Sequence, residues 1–309
     1  MSGLVLDSEA RPLANAGVRL MQVRVAVNMV SSTVVQAATT GADGRFEIFN
    51  LAPGDYSVTC AGTATQRLAA SEQGMVNVSV RGEDIEGLVV RLYKGSTLKG
   101  QIEFEGEKRP PLTPSLRLYA SDPTGTDTAS MPARSTIHED WAFELTGVFP
   151  GERLIRMLGL PAGFALKSIF IDGEDVIDTL RKFDGKEELS GVRLVVTDRV
   201  TEISGSVSDA NGQPLREYSV VAFPKDGEKW QQPGTRRMVS ARPDQNGRFS
   251  ITRLPPDDYL VVAVEYLAAG DERDPEFLDA NKSRATSISL ADGQRTAVNL
   301  KVAPRGPSL

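Results

Sequence analysis

Apolar and polar residues alternate with a period of two in many short stretches of the chain. Clear examples are LKGQIEFEG (98–106), AFELTGV (142–148) and GVRLVVT (191–197). Such alternation puts successive side chains on opposite faces of a strand and predicts half-buried β-strands. Turn sequences such as ADG (42–44) and DQNG (244–247) separate these stretches. Short strands bounded by turns predict an all-β fold built from antiparallel β-sandwiches.

One stretch has a helical pattern instead. In DPEFLDANK (274–282), Asp274 is a good N-cap residue, Pro275 suits the first turn, and Glu276 suits the positive end of the helix dipole. We predict a short helix here, inserted between two strands.

A fourteen-residue sequence occurs three times. It reads DGRFEIFNLAPGDY at 43–56, DWAFELTGVFPGER at 140–153 and NGRFSITRLPPDDY at 246–259. We predict a structural role, in which these residues form a hairpin, fill the core, make a second turn and start the next strand. The structural positions are Phe46, Leu51, Gly54 and Tyr56 in the first copy, Phe143, Pro150 and Gly151 in the second, and Phe249, Leu254 and Tyr259 in the third. The second copy differs, because Trp141 replaces the hairpin glycine and Arg153 replaces the tyrosine.

Further matches precede and follow these copies. Gly3, Gly100 and Gly205 occupy equivalent positions near the start of each repeat, and an alternating strand pattern ends each one. A period of this length indicates repeated domains, each with enough residues for its own core. We predict three tandem sandwiches at 1–94, 95–198 and 199–309, of which the second is divergent.

The residues at 3–13 and 205–215 share the pattern G-x-V-x-D-x-x-x-x-P-L, which is followed by the repeated sequence described above. This combination resembles the carboxypeptidase regulatory-like domain in bacterial repeat proteins. The resemblance implies tandem Ig-like or prealbumin-like (transthyretin-like) sandwiches, a fold also grouped with carbohydrate-binding-like domains. It implies a non-catalytic companion of a zinc carboxypeptidase. Tyr56 and Tyr259 also resemble the tyrosine corner, whose hydroxyl bonds the backbone a few residues upstream.

Composition narrows the possible functions. The net charge is −6 and the pI about 5.1, so nucleic acid is not expected as a partner. His138 is the only histidine, and no glutamate lies three residues after it, so we predict no zinc peptidase site, no metal, no cofactor and no enzymatic activity. Cys60, the only cysteine, is expected to be a small buried hydrophobic residue. No apolar run is long enough to span a membrane.

Acidic residues offer two further candidate sites. The sequences at 209–212 and 244–247 resemble the start of a calcium-binding EF-hand loop, but the required glycine and glutamate are missing later in both. We therefore favour Asx-type turns. The carboxylate groups at 257–258, 187–188 and 172–175 could do acid–base chemistry, but solvated surface is the favoured interpretation.

Exposed aromatic residues are the remaining candidates for ligand contact. Trp230, with Arg236 and Arg237 nearby, is the first candidate, and Trp141 at a hairpin tip is the second. The alternative is that each tryptophan packs on its own sandwich. The loops at 122–135 and 224–243 could contact a partner.

The sequence thus predicts a non-catalytic structural or interaction segment, serving adhesion, scaffolding or an accessory role. We expect it in an exported or cell-surface bacterial protein, in the periplasm, at the cell surface or secreted. The start of the chain shows no signal peptide, so we expect it to be part of a longer protein. Its partner would be a protein or a glycan. Two alternatives stay open: a carbohydrate-binding module, and an accessory domain of a separate or truncated carboxypeptidase or other hydrolase.

Overall fold

A computed structural model describes residues 1–26, 29–61, 72–123 and 133–303. The strands up to residue 94 are β1 (Ser2–Leu6), β2 (Gly17–Ala26), β3 (Met29–Thr39), β4 (Arg45–Glu47), β5 (Gly54–Ala61), β6 (Gln73–Val80) and β7 (Leu88–Arg91). The next are β8 (Ser96–Glu105), β9 (Arg117–Ser121), β10 (Arg134–Ile137), β11 (Ala142–Val148), β12 (Gly151–Leu158), β13 (Ala165–Ile171), β14 (Glu174–Asp175), β15 (Arg181–Phe183) and β16 (Glu188–Thr197). The last are β17 (Glu202–Ser208), β18 (Ser219–Pro224), β19 (Val239–Ala241), β20 (Arg248–Thr252), β21 (Asp257–Val264), β22 (Thr286–Leu290) and β23 (Arg295–Ala303).

The chain forms two compact units. Unit 1 comprises residues 1–103, 112–159 and 168–194, and unit 2 comprises residues 104–111, 160–167 and 195–309. The all-β sandwich class is confirmed by the strands and sheets within them. The finer division into three sandwiches stays a prediction.

Unit 1 contains several sheets. One has the order β4-β1-β7 and another the order β3-β2-β5-β6, with the core of Val5, Leu20, Phe46, Val58 and Val90 packed in the first part of the unit. The later strands form sheets with the orders β10-β11-β8-β16-β13-β14 and β15-β12-β9. The strand patterns at 98–106, 142–148 and 191–197 lie in or extend just past β8, β11 and β16, so alternation identified these strands correctly.

Unit 2 contains a sheet with the order β19-β18-β21-β23-β17-β20, and β22 pairs with β21. Its core includes Ile203, Tyr218, Phe249, Leu254 and Tyr259. The first strand, β17, is antiparallel to β20 and parallel to the last strand, β23. The first strand of unit 1 has the same arrangement, because β1 is antiparallel to β4 and parallel to β7.

The matched glycines sit where the first strand meets its neighbours. Gly3 lies opposite Phe46, Gly100 opposite Phe143, and Gly205 opposite Phe249. A Cβ atom on Gly205 would lie 1.7 Å from the Val298 carbonyl oxygen. The glycine is therefore needed for close approach of two backbones, and the facing phenylalanine covers the space left by the missing side chain.

The predicted helix is confirmed. Helix α1 (Pro275–Lys282) begins after Asp274, whose carboxylate accepts a hydrogen bond from the Glu276 backbone N–H at 3.0 Å. Leu278 of this helix is fully buried against the second face of β18 and β21. This explains why both strands are buried on both faces and lack alternation.

Candidate functional site

The hairpin of the repeated sequence has the same geometry in all three copies. The backbone N–H groups of Gly44, Trp141 and Gly247 each donate to the carbonyl three residues earlier, at 3.0, 2.9 and 3.0 Å. Their φ values are 78°, 66° and 75°. Trp141 thus occupies a left-handed conformation that glycine adopts without steric penalty. The predicted non-glycine turn is confirmed.

The corner that follows has a side-chain hydrogen bond to an upstream carbonyl in each copy, and the second copy differs in which carbonyl is bonded. The Tyr56 hydroxyl donates to the Ala52 carbonyl at 2.9 Å, and the Tyr259 hydroxyl donates to the Pro255 carbonyl at 2.7 Å. In the second copy, Arg153 donates to the Pro150 carbonyl at 2.7 Å. The guanidinium therefore bonds a carbonyl three residues upstream, next to the position four residues upstream that both tyrosines use. These residues hold the corner together, as the sequence predicted for the two tyrosines.

The two possible calcium loops are Asx turns. The Asp209 carboxylate accepts the backbone N–H groups of Asn211 and Gln213 at 2.9 and 2.8 Å. Asp244 accepts those of Asn246 and Arg248 at 2.8 and 2.9 Å. The hydrogen bond from the Arg248 backbone N–H to the Asp244 carboxylate lowers the pKa of Asp244 below its ordinary value. The favoured interpretation is confirmed, because each carboxylate closes its own turn.

Members of the acidic groups are also engaged by the fold. Asp175 accepts the backbone N–H groups of Ile169 and Ile177, both at 3.1 Å. Glu187 accepts the Asp184 N–H at 3.0 Å. Each carboxylate stabilises a turn or strand end, and Asp175 is also exposed, as the solvated-surface interpretation expected.

Trp230 lies in a short 3₁₀ helix over Gly227–Gln231 and is half-buried. Its indole N–H donates to the Pro224 carbonyl at 2.7 Å. Its ring meets the edge of Phe223, with 5.6 Å between centroids and 74° between planes. The residue thus anchors its loop on its own sheet, as the alternative interpretation expected. A ligand contact by Trp230 stays a prediction.

Next to Trp230, two cations surround one carboxylate. Lys229 contacts both Asp257 oxygens at 2.9 and 2.7 Å, and the Arg237 Nε lies 3.0 Å from one of them. Burial alone raises the pKa of Asp257, but the hydrogen bond and charge of Lys229 lower it below its ordinary value. The neighbouring Asp258 faces away and accepts from Ser289. Lys229 is not among the residues predicted from the sequence, although a lysine adjacent to a loop tryptophan is a usable signal.

The other predicted contact residues are placed separately. Arg236 donates to the Leu166 carbonyl at 2.9 Å within unit 2. Trp141 belongs to unit 1 and forms the hairpin described above. Of the loop at 122–135, residues 124–132 lie outside the described residues. Trp230, Arg236 and Arg237 therefore lie in the one loop at 224–243, Trp141 lies elsewhere, and a ligand contact by any of them stays a prediction.

Cys60 is buried in the core of unit 1, and burial raises the pKa of its thiol to about 12. This confirms its interpretation as a hydrophobic residue. Across the described ranges, no group of three or more His, Cys, Asp or Glu side chains could hold a metal ion. In the same ranges, no helix has the length and apolar character needed to cross a membrane.

Comparison with known proteins finds a family match for one part of the chain. The family model of the carboxypeptidase regulatory-like domain matches residues 202–303, so this stretch is similar to that family. No curated protein sequence matches the chain.

Solved structures with partial similarity include two pilins and the Bacillus anthracis TIE protein. The Bacillus anthracis TIE protein aligns at 13% identity over 97% of this chain and 49% of that chain, with a TM-score of 0.24. This chain thus spans about half the length of that protein. The major pilin subunit of Bacillus cereus aligns at 12% identity over 97% and 98%, with a TM-score of 0.24. The minor pilin of Streptococcus agalactiae aligns at 11% identity over 63% and 95%, with a TM-score of 0.30. Scores this low do not establish a common fold, and we take no function from these structures.

Proposed function

We propose that the chain is a non-catalytic structural segment of an exported or cell-surface bacterial protein, and that its sandwiches bear tension along the chain. The pairing of first and last strands carries this proposal. In unit 2, β17 and β23 run parallel over seven register pairs, from Glu202 with Arg295 to Ser208 with Lys301.

Parallel pairing determines how a pulling force would act. The chain enters β17 at one end of the pair and leaves β23 at the opposite end. A pull on both ends therefore loads the interstrand hydrogen bonds together, in shear, and they cannot break one after another. Strands β1 and β7 have the same arrangement over four register pairs, from Gly3 with Leu88 to Leu6 with Arg91.

The use of the polar side chains supports a structural role. Hydrogen bonds of the corner and turns are formed by the side chains of Tyr259, Asp209 and Asp244. The Asp257 carboxylate is paired with Lys229 and Arg237. A general acid or base must be able to reach a substrate proton. These groups instead stabilise the scaffold, which suits a module that transmits force or displays loops.

Single-molecule stretching of the whole chain tests the proposal. We expect residues 202–303 to resist force and then unfold in one step. The gain in length at that step should equal the fully extended length, roughly 340 to 370 Å, minus the folded length. Weakening the β17–β23 pair, as in Gly205→Ala, should lower the force of that step. Gradual extension without a force peak would contradict the load-bearing role. Metal-dependent peptidase turnover by the purified chain would contradict the non-catalytic role.

Location is tested separately. An antibody against an epitope tag inserted after Gly82, an exposed turn glycine with open space around it, should label intact cells or cells in which only the outer membrane has been permeabilised. Labelling only after cell lysis and removal of the envelope would contradict an exported or surface location.

A further inference from the structure

A cleft of about 630 Å³ lies in unit 1, where the chain passes from β7 into β8. Gly95 and Gly147 line it with φ values of 80° and 76°, and a Cβ atom on Gly95 would lie 2.4 Å from the Gly147 Cα. Two glycines thus let two backbone segments meet at the cleft. Its volume is in the range of small-molecule binding sites.

The cleft is rich in cationic side chains. Arg91, Lys94, Arg134 and Lys186 all line it. Arg91 donates to a backbone carbonyl and lies 5.9 Å from the centroid of the Tyr93 ring. The three others form no ion pair with any described residue. On a chain with a net charge of −6, this local excess of positive charge is unexpected for a solvated surface.

Acidic side chains do not neutralise the cleft. Glu9 and Glu188 line it, but Glu9 is already paired with Arg11 at 2.8 Å. The four cations therefore face one acidic group that is not otherwise paired. A concave site with an excess of one charge concentrates ligands of the opposite charge.

Hydroxyl groups line the same space. Tyr93, Thr97 and Thr146 are half-buried at the cleft, and their hydroxyls make no hydrogen bond to a described residue. A hydroxyl both donates and accepts. A matching ligand would therefore combine negative charges with groups that donate and accept hydrogen bonds.

We propose that this cleft binds an acidic oligosaccharide, a short chain of sugars that carries carboxylates. Its carboxylates would pair with Lys94, Arg134 and Lys186 through charge-assisted hydrogen bonds. Its hydroxyls would bond the hydroxyls of Tyr93, Thr97 and Thr146. An acidic peptide matches the cations equally well, but it offers fewer hydroxyl partners for this lining.

Isothermal titration calorimetry of the full chain with trigalacturonic acid tests the proposal. We expect binding at low salt that weakens at high salt, because salt screens exposed charges. Maltotriose, a neutral trisaccharide, should not bind. Triglutamic acid should bind more weakly than trigalacturonic acid, since it lacks the sugar hydroxyls.

Variants connect the binding to the cleft. Arg134→Gln and Lys186→Gln should each weaken trigalacturonate binding by about tenfold. Arg117→Gln is the matched control, because Arg117 is exposed on β9 in the same unit, lies outside the lining and forms no ion pair with a described residue. It should change binding by less than about twofold. Circular dichroism should show that all three variants fold like the parent.

Three results would overturn the proposal: no binding of trigalacturonate, binding of triglutamate as tight or tighter, and binding that Arg134→Gln and Lys186→Gln leave unchanged. None of them bears on the load-bearing role, because that role depends on the strand pairs and not on the cleft.

Discussion

Gly205→Ala is the sharpest test of how the first strand of unit 2 is held. Gly205 has Val298 beside it on β23 and Phe249 opposite it on β20. An added Cβ atom would lie 1.7 Å from the Val298 carbonyl oxygen and 3.3 Å from a Phe249 ring carbon. The aromatic ring can shift slightly, but the carbonyl belongs to the paired backbone.

The distances set the size of the effect. A Cβ atom essentially never lies closer than 3.0 Å to a heavy atom of a non-neighbouring residue. Strands β17 and β23 must therefore separate by roughly 1.3 Å at Gly205. Overpacking costs about 1–3 kcal/mol, and each of about two disturbed ladder hydrogen bonds costs about 1 kcal/mol. We therefore expect a loss of about 3–5 kcal/mol, a large share of the roughly 5–15 kcal/mol by which a domain is stable.

Hydrogen–deuterium exchange with mass spectrometry localises the effect. The opening free energy of amides in β17 and β23 should fall by the amount above, and the urea midpoint of unit 2 should fall with it. Gly227→Ala is the matched control, because the nearest atoms to its added Cβ would be Trp230 ring carbons at 4.0 Å. If Gly205→Ala proved as stable as Gly227→Ala to within about 0.5 kcal/mol, the close-approach argument would be refuted.

Three further predictions concern single side chains. Tyr259→Phe should destabilise unit 2 by about 1–3 kcal/mol in urea unfolding, because it leaves the buried Pro255 carbonyl without its donor; an unchanged midpoint would contradict this. Cys60 should resist iodoacetamide in the native protein and react in urea, because burial raises the pKa of its thiol to about 12; mass spectrometry detects the adduct. The pKa of Asp257 is lower in the folded state than in the unfolded state, so its pairing with Lys229 stabilises the folded state above a pH of about 3.9. This stabilisation is lost as the pH falls through the folded-state pKa. Asp257→Asn should accordingly lower the urea midpoint at neutral pH and have little effect in strong acid.

Local patterns predicted the parts of the fold that depend on neighbours in sequence. The cap at Asp274 and the turns at Asp209 and Asp244 follow from short-range hydrogen bonds. The tyrosine corner at Tyr259 reaches only four residues back. In each case the residue and its partner lie within one turn, so the sequence contains the whole interaction.

The cationic cleft could not be predicted in this way. Lys94, Arg134 and Lys186 lie far apart in the sequence and in separate elements. None forms a motif with its sequence neighbours, and on a net acidic chain each is an ordinary surface residue. The close approach of Gly95 to Gly147 and the hydrogen bond from the Gly185 N–H to Ser96 Oγ help to bring these segments together. Sites formed by residues that are distant in the sequence therefore cannot be predicted from composition or from the spacing of motifs.

The second copy of the repeated sequence shows which feature of the corner is required. Arg153 bonds an upstream carbonyl without a tyrosine, one position along from the carbonyl that the tyrosines use, and Trp141 keeps the left-handed turn without a glycine. The hairpin thus requires one residue with positive φ and the corner requires one donor that reaches an upstream carbonyl, and neither requirement fixes a residue type. A left-handed tryptophan is strained by about 1–2 kcal/mol relative to glycine. Trp141 therefore has to be held by its surroundings, whereas Gly44 adopts the same turn without that strain.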